Sequence, residues 1–359
     1  MKAVVSGGGT GGHIYPALSI AQKLRADGAE LYYVGGKDSV EAKLAAKNGF
    51  AFFGLECSAL HRHSLAVVKD LAVNAQGCLH AHSFLQNFCP DVVIGTGGYA
   101  EAPVLRAAQS LGIPTVLHEQ NAYPGLANRM MAKKAAAVCL SFQAAAPYFP
   151  HQKRLHLTGL PIREEILLST KEQARAHFQI PDDGKPLLLI TGGSQGAASL
   201  NQAAAAAIPA LLEQGIRVIH ICGEKEFFKY KQILPSHPDF FLYPYLDHME
   251  FALALADLAF SRAGASFIAE ALAVGLPTLL VPYPYAANDH QRFNALALQE
   301  KNAGLLLEND ALSGAVLLEK VTGLLKNREL LQKMSANCLS MAIPDAAERI
   351  VQIIYALLK

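Results

Sequence analysis

The chain has 359 residues, 52% of them hydrophobic and 17% charged, with 31 Lys and Arg against 30 Asp and Glu for a net charge of +1. Apolar content of that order excludes a disordered chain, and the near-neutral balance excludes a dedicated nucleic-acid binder, which needs a basic field. The length admits two domains of about 150 residues each.

In chain order, the apolar run at residues 3–5 predicts a buried strand, glycines at 7–12 interrupt it, and a helix follows over 15–27, with Pro16 in its first turn. Residues 31–34, 91–94 and 114–117 predict three more strands with amphipathic stretches between them. Turn signals cluster from Thr158 to Pro186 and place a linker near 158–165. The pattern then restarts: a strand at 187–190, a glycine turn at 191–197, a helix over 198–214, and strands at 218–222, 258–260 and 278–281. Strand–turn–helix alternation predicts an α/β class with two Rossmann-like, doubly wound parallel sheets. The expected domains are 1–160 and 161–341, with a last helix in 342–359 rejoining the first. Ligand crevices in such sheets lie beyond the strand carboxyl ends, so two crevices are expected to face each other across a cleft.

Six cysteines, at 57, 78, 89, 139, 222 and 338, form no CxxC pair and no metal spacing, which suits reduced thiols. No apolar run reaches the roughly 18 residues of a membrane span. The first residues enter a glycine cluster too early for a signal-peptide apolar region.

The chemistry-bearing stretches sit where strands end. Residues 6–13 (SGGGTGGH) place five glycines between a strand and a helix, where main-chain amides and a helix N-terminus can meet an anion or a sugar. A dinucleotide fingerprint fits less well, because no acid ends the second strand, and no Walker lysine occurs. Residues 191–197 (TGGSQGA) repeat the context, with the Ser194 hydroxyl beside the amides. Residues 95–99 (GTGGY) end a third strand and fit a structural turn equally well. His13, at the exit of the first glycine loop, is a candidate general base. Residues 118–121 (HEQN) put four polar groups at a strand end, with Glu119 a candidate catalytic carboxylate. Residues 261–270 (SRAGASFIAE) lead from a strand into a helix, where Glu270 can accept two ribose hydroxyls. Residues 288–294 (NDHQRFN) offer amides and carboxylates to a sugar. No Asp-x-Asp occurs, so no metal or other cofactor is expected, and amides, a helix dipole and Arg163 must offset leaving-group charge.

Together GGGTGGHIYPALSIA, GTGGYAEAPV, HEQNAYPGLANR, TGGSQGA, SRAGASFIAEALAVGLPTLLVPYPYAANDHQRFNA and AIPDAAERI, in this order across nearly the whole chain, resemble the MurG family of glycosyltransferases. The resemblance implies a GT-B fold and an inverting, metal-independent transfer of GlcNAc from UDP-GlcNAc to the C4 hydroxyl of MurNAc in lipid I, forming lipid II. It implies that Thr10, Gly11 and Gly12 line the cleft and that His13 is the base. Asn121 would meet the transferred sugar, Arg163 and Ser194 the diphosphate, and the Leu246 backbone the uracil. Ala265, Ser266, Phe267, Ile268, Ala269 and Glu270 would hold the nucleoside, with Glu270 on the ribose, and Gln291 the GlcNAc hydroxyls. It also implies a peripheral protein on the cytoplasmic face of the membrane, meeting the inner leaflet and, as partners, other cell-wall synthesis proteins.

Two stretches depart from the family pattern: Leu160 stands where asparagine is usual, and residues 58–63 (SALHRH) replace a glycine-bearing acceptor loop. Apolar residues Leu65, Val68, Leu71, Leu79, Phe84, Leu85 and Phe88, with Arg62 and Lys69, fit either a membrane-facing surface or a pair of core helices. Alternatives on the residues alone are a transferase acting on another lipid, a sugar-nucleotide epimerase, a non-catalytic nucleotide-binding subunit, and an NAD dehydrogenase.

Overall fold

The computed structural model describes residues 1–58, 66–193 and 195–359, and its chain forms two compact units. The first comprises Met1–Ile162 and Asp345–Lys359, the second Arg163–Pro344. The first unit is built on β1 (Lys2–Ser6), β2 (Glu30–Gly36), β3 (Ala51–Leu55), β4 (Val92–Gly95), β5 (Thr115–Glu119), β6 (Ala137–Leu140) and β7 (Leu155–Leu157). All pair in parallel, in the order β3-β2-β1-β4-β5-β6-β7. The second holds β8 (Leu187–Thr191), β9 (Arg217–Ile221), β10 (Phe240–Tyr243), β11 (Leu258–Arg262), β12 (Thr278–Val281) and β13 (Gly304–Leu306). These are also parallel, in the order β10-β9-β8-β11-β12-β13.

Central strands such as β4, β5 and β8 are buried along their whole length, as a parallel sheet covered on both faces requires. Four of the five strands that the apolar pattern did not reveal are edges: β3, β7, β10 and β13. An edge strand is only partly covered, so its sequence lacks the continuous apolar run. The fifth, β6, is a short buried strand in an alanine-rich stretch that reads equally as helix.

The helix after β1 spans Gly11–Ala26 and starts four residues earlier than the apolar pattern indicates. Thr10 caps it with extended backbone, and the flexible glycines form its first turn. Pro16 is therefore inside the helix and buried, not in its first turn. Cores form on both faces of the first sheet. One joins Val5, Ile14, Ile20 and Leu24 to Ile350, Val351 and Ile354 of the last helix, Ala346–Leu357. The other holds Leu85, Val93, Leu105, Leu117 and Leu140. In the second unit Leu200, Ile208 and Leu211 of the helix Ala198–Glu213 pack on Leu188, Ile190 and Phe260.

The helix Ala66–Phe88 has two faces. Leu85 is buried, and Phe84 stacks on Phe53 at 4.2 Å between centroids while Phe88 meets Tyr32 edge-on at 4.9 Å. Val68, Leu71 and Leu79 lie on the opposite face and are exposed. Phe84, Leu85 and Phe88 thus serve the sheet. Arg62, Leu65 and most of the 58–63 loop lie outside the described residues.

Candidate active site

In each sheet the strand order reverses once, between β1 and β4 and between β8 and β11. A crevice opens at such a point beyond the strand carboxyl ends. In the first unit it is walled by the loops after β1 and β4, which interlock. Gly8 N–H donates to the Gly97 carbonyl at 3.2 Å, and the Thr96 hydroxyl donates to the His13 carbonyl at 2.7 Å. Gly97 has φ +102°, and a Cβ there would overlap the His13 ring. The 95–99 loop is therefore part of the site wall.

Thr10 and Gly11 are exposed, Gly12 and His13 half-buried. The Thr10 carbonyl accepts from His13 N–H at 3.0 Å and Ile14 N–H at 3.1 Å. The Gly11 and Gly12 amides precede the helical ladder, so they are available to an incoming acceptor atom. His13 Nδ1 lies 3.1 Å from the Thr96 carbonyl and 3.2 Å from Gln120 Oε1. Behind this wall Glu101 is fully buried and accepts from Gly97 N–H. Burial pushes its carboxyl up to about 8, so it is mostly neutral at pH 7.

At the end of β5, alternation turns His118 and Gln120 to one side and Glu119 to the other. Glu119 is buried, and its oxygens accept four donors: Asn121 N–H (2.9 Å), Asn121 Nδ2 (3.2 Å), Gly125 N–H (3.1 Å) and Asn128 Nδ2 (2.8 Å). A carboxylate engaged in this way shapes the loop that presents Asn121. Its geometry suits positioning rather than proton transfer.

In the second unit Gly264 opens the helix Ala265–Ala273, so the first amides, at Ala265 and Ser266, precede its ladder. The Ser266 hydroxyl is buried without a hydrogen-bond partner among the described residues. Phe267 and Ala269 are half-buried. Ile268 is fully buried and its amide donates to the Gly264 carbonyl at 3.0 Å, so this residue anchors the helix to the core. Burial raises the Glu270 carboxyl, and the Arg163 guanidinium, 3.5 Å away, opposes that rise. Arg163 also faces Glu250 at 4.0 Å, which in turn meets His248 Nδ1 at 2.9 Å. Leu246 is buried in the segment after β10. Gln291 Oε1 accepts from Tyr283 N–H at 2.9 Å across the turn where Asn288 and Asp289 adopt left-handed backbone. Ser194 lies outside the described residues.

Residues 3–140 match the glycosyltransferase family 28 N-terminal domain, and residues 187–350 match its C-terminal domain. The UDP-N-acetylglucosamine--N-acetylmuramyl-(pentapeptide) pyrophosphoryl-undecaprenol N-acetylglucosamine transferase of Moorella thermoacetica is 40% identical, over 99% of this chain and 98% of its own. The enzyme of that name from Halothermothrix orenii is 39% identical with the same coverage. The crystal structure of Acinetobacter baumannii MurG aligns with a TM-score of 0.81 at 26% identity, over 99% of both chains. The chain belongs to the MurG family. It is a glycosyltransferase of GT-B fold.

In this member of the family, the structure joins Arg163 to Glu270 and links His13 to the end of β5. The sequence marks residues 118–121 as polar groups at a strand end and 95–99 as a glycine turn, without giving His118, Gln120 or Thr96 individual roles, and it does not mark Glu250. Period-two spacing at a strand end was a usable signal for His118 and Gln120, because it sets them on one side. Nothing local gives Thr96 or Glu250 a role, because Thr96 meets His13 and Gln120, and Glu250 meets Arg163, only across the fold.

Proposed function

We propose that the protein transfers GlcNAc from UDP-GlcNAc to the C4 hydroxyl of MurNAc in undecaprenyl-pyrophosphoryl-MurNAc-pentapeptide (lipid I), with inversion and without a metal, yielding lipid II. The observation that carries this reading is end-to-end identity of about two residues in five with transferases whose names state both substrates. In one displacement the acceptor oxygen bonds to C1 of GlcNAc, the bond from C1 to the diphosphate oxygen breaks, and UDP leaves. The nucleophile's proton passes to the His13 imidazole.

Thr10, Gly11 and Gly12 address the acceptor. The Ala265 and Ser266 amides, with Arg163 and Ser194, meet the charge growing on the diphosphate. Glu270 accepts the ribose hydroxyls, the Leu246 backbone pairs with uracil, and Asn121 and Gln291 orient the sugar. Phe267 and Ala269 shape the nucleoside wall, Ile268 holds the helix that carries them, and Glu119 fixes the Asn121 loop.

No described helix is long and apolar enough to cross a membrane. The exposed row Val68, Leu71 and Leu79, beside Lys69, suits peripheral attachment to the inner leaflet. The deciding experiment combines purified protein, UDP-GlcNAc and a lipid I analogue, with and without EDTA. UDP release that requires the analogue, ignores the chelator and yields a β-1,4 product is expected. Release without the acceptor, or none with it, removes the reading.

A further inference from the structure

His13 is the last member of an ordered set of contacts that begins 146 residues along the chain, at Gly159. The Gly159 carbonyl lies 2.9 Å from His118 Nε2. A carbonyl only accepts, so Nε2 carries the hydrogen. His118 is fully buried, and burial pushes its imidazolium down to about 4, so the ring is neutral at pH 7 and Nδ1 is an acceptor. Gln120 Nε2 stands 3.1 Å from that Nδ1 and donates to the Thr96 carbonyl as well. The amide is thereby oriented: its NH₂ faces His118, and its Oε1 faces His13 Nδ1 at 3.2 Å. The Thr96 carbonyl approaches the same His13 nitrogen at 3.1 Å. Two oxygen acceptors on Nδ1 place the hydrogen there, which puts the lone pair of neutral His13 on Nε2.

We infer that His118, acting through Gln120, is a positioning residue that holds His13 in the tautomer whose Nε2 accepts the nucleophile's proton. This rests on the transfer reading above. During attack the acceptor hydroxyl gives its proton to Nε2, and the new imidazolium keeps its Nδ1–H between the Gln120 and Thr96 oxygens. No proton travels through Gln120 or His118; they set orientation and stabilise the cation with fixed dipoles.

Two substitutions separate this role from simple anchoring of Gly159. In His118→Asn the amide oxygen can stand near the Nδ1 position and still accept from Gln120, but the reach to Gly159 is lost. In His118→Gln the amide N–H can still reach Gly159, but the acceptor for Gln120 is lost. The expected result is a kcat within about threefold of the parent for His118→Asn. For His118→Gln kcat falls about 10- to 100-fold, with KM for UDP-GlcNAc within about twofold. The reverse ranking, or equal effects, overturns the inference. A second measurement needs neither variant nor turnover. Side-chain ¹⁵N NMR of His13 in the unliganded protein should show the Nδ1–H tautomer, and the Nε2–H tautomer overturns the proposal. A parent protein that transfers nothing but shows Nδ1–H would sink the transfer reading alone.

Discussion

His13 and Glu270 make different kinds of demand on their surroundings, and their variants should fail differently. As the proposed base, His13 works only while the proton is in flight. His13→Ala should lower kcat about 10²- to 10⁴-fold and leave calorimetric UDP-GlcNAc affinity unchanged. Turnover like that of the parent would remove His13 from the chemistry. In the proposed reading Glu270 meets the bound nucleoside, so Glu270→Gln should weaken donor binding by about 1.5–3 kcal/mol, the range of a hydrogen bond to a charged group. It also leaves Arg163 facing Glu250. An unchanged donor Kd would show that the carboxylate does not meet the ribose. Both residues stand out in the chain as candidates because each stands a fixed few positions beyond a strand and a glycine. Arg163 was legible as a charge, but its pairing with Glu270 spans more than 100 positions and no local pattern carries it.

At the scale of elements, the loop after β4 and the helix after it are tied by a carboxyl that prefers to stay neutral. The Glu101 carboxyl sits at about 8 in the fold against an unfolded value of 4.5. A raised carboxyl stabilises the fold fully below the unfolded value, and that contribution is lost as pH rises towards about 8. Glu101→Gln cannot ionise, so its melting temperature relative to the parent should climb steadily from about pH 5 to pH 8. A difference independent of pH would refute the buried neutral acid. His118 and His220 act on the other flank, since burial lowers both to about 4 from 6.5. Their contribution is complete above about pH 6.5 and fades as pH falls to about 4.

The helix Ala66–Phe88 offers a second test at this scale. Val68→Asp with Leu79→Asp changes only exposed positions, so the fold should persist with a melting temperature within a few degrees, roughly the reach of surface substitutions. Co-sedimentation with anionic vesicles should drop sharply, and undiminished binding would detach this face from the membrane. Phe84→Asp is a poor probe, because that ring is stacked on Phe53 and its loss disturbs the sheet.

Over the whole molecule, each unit closes its own core, and the last helix belongs to the unit that begins the chain. Ile350 and Ile354 are fully buried against the helix Gly11–Ala26, and Lys23 pairs with Glu348 at 2.9 Å. Ile350→Ala or Ile354→Ala should cost about 2–5 kcal/mol, the range for emptying a packed site. Hydrogen exchange should quicken in β1 and the helix Gly11–Ala26 while β8 and β11 keep their protection. Equal loss in both sheets would contradict a core assigned to one unit.

What the chain determined by itself is local: two runs of strand, glycine turn and helix, the central strands, and the candidate side chains set at their ends. Those features depend on apolar runs, backbone freedom and helix termini, which neighbouring residues decide. Tertiary structure alone decided the edge strands, the two faces of the helix Ala66–Phe88, the contacts by which the last helix docks, and the link from Gly159 through His118 and Gln120 to His13. Each depends on groups far apart in sequence, and burial and hydrogen-bond geometry between such groups exist only once the sheets are assembled.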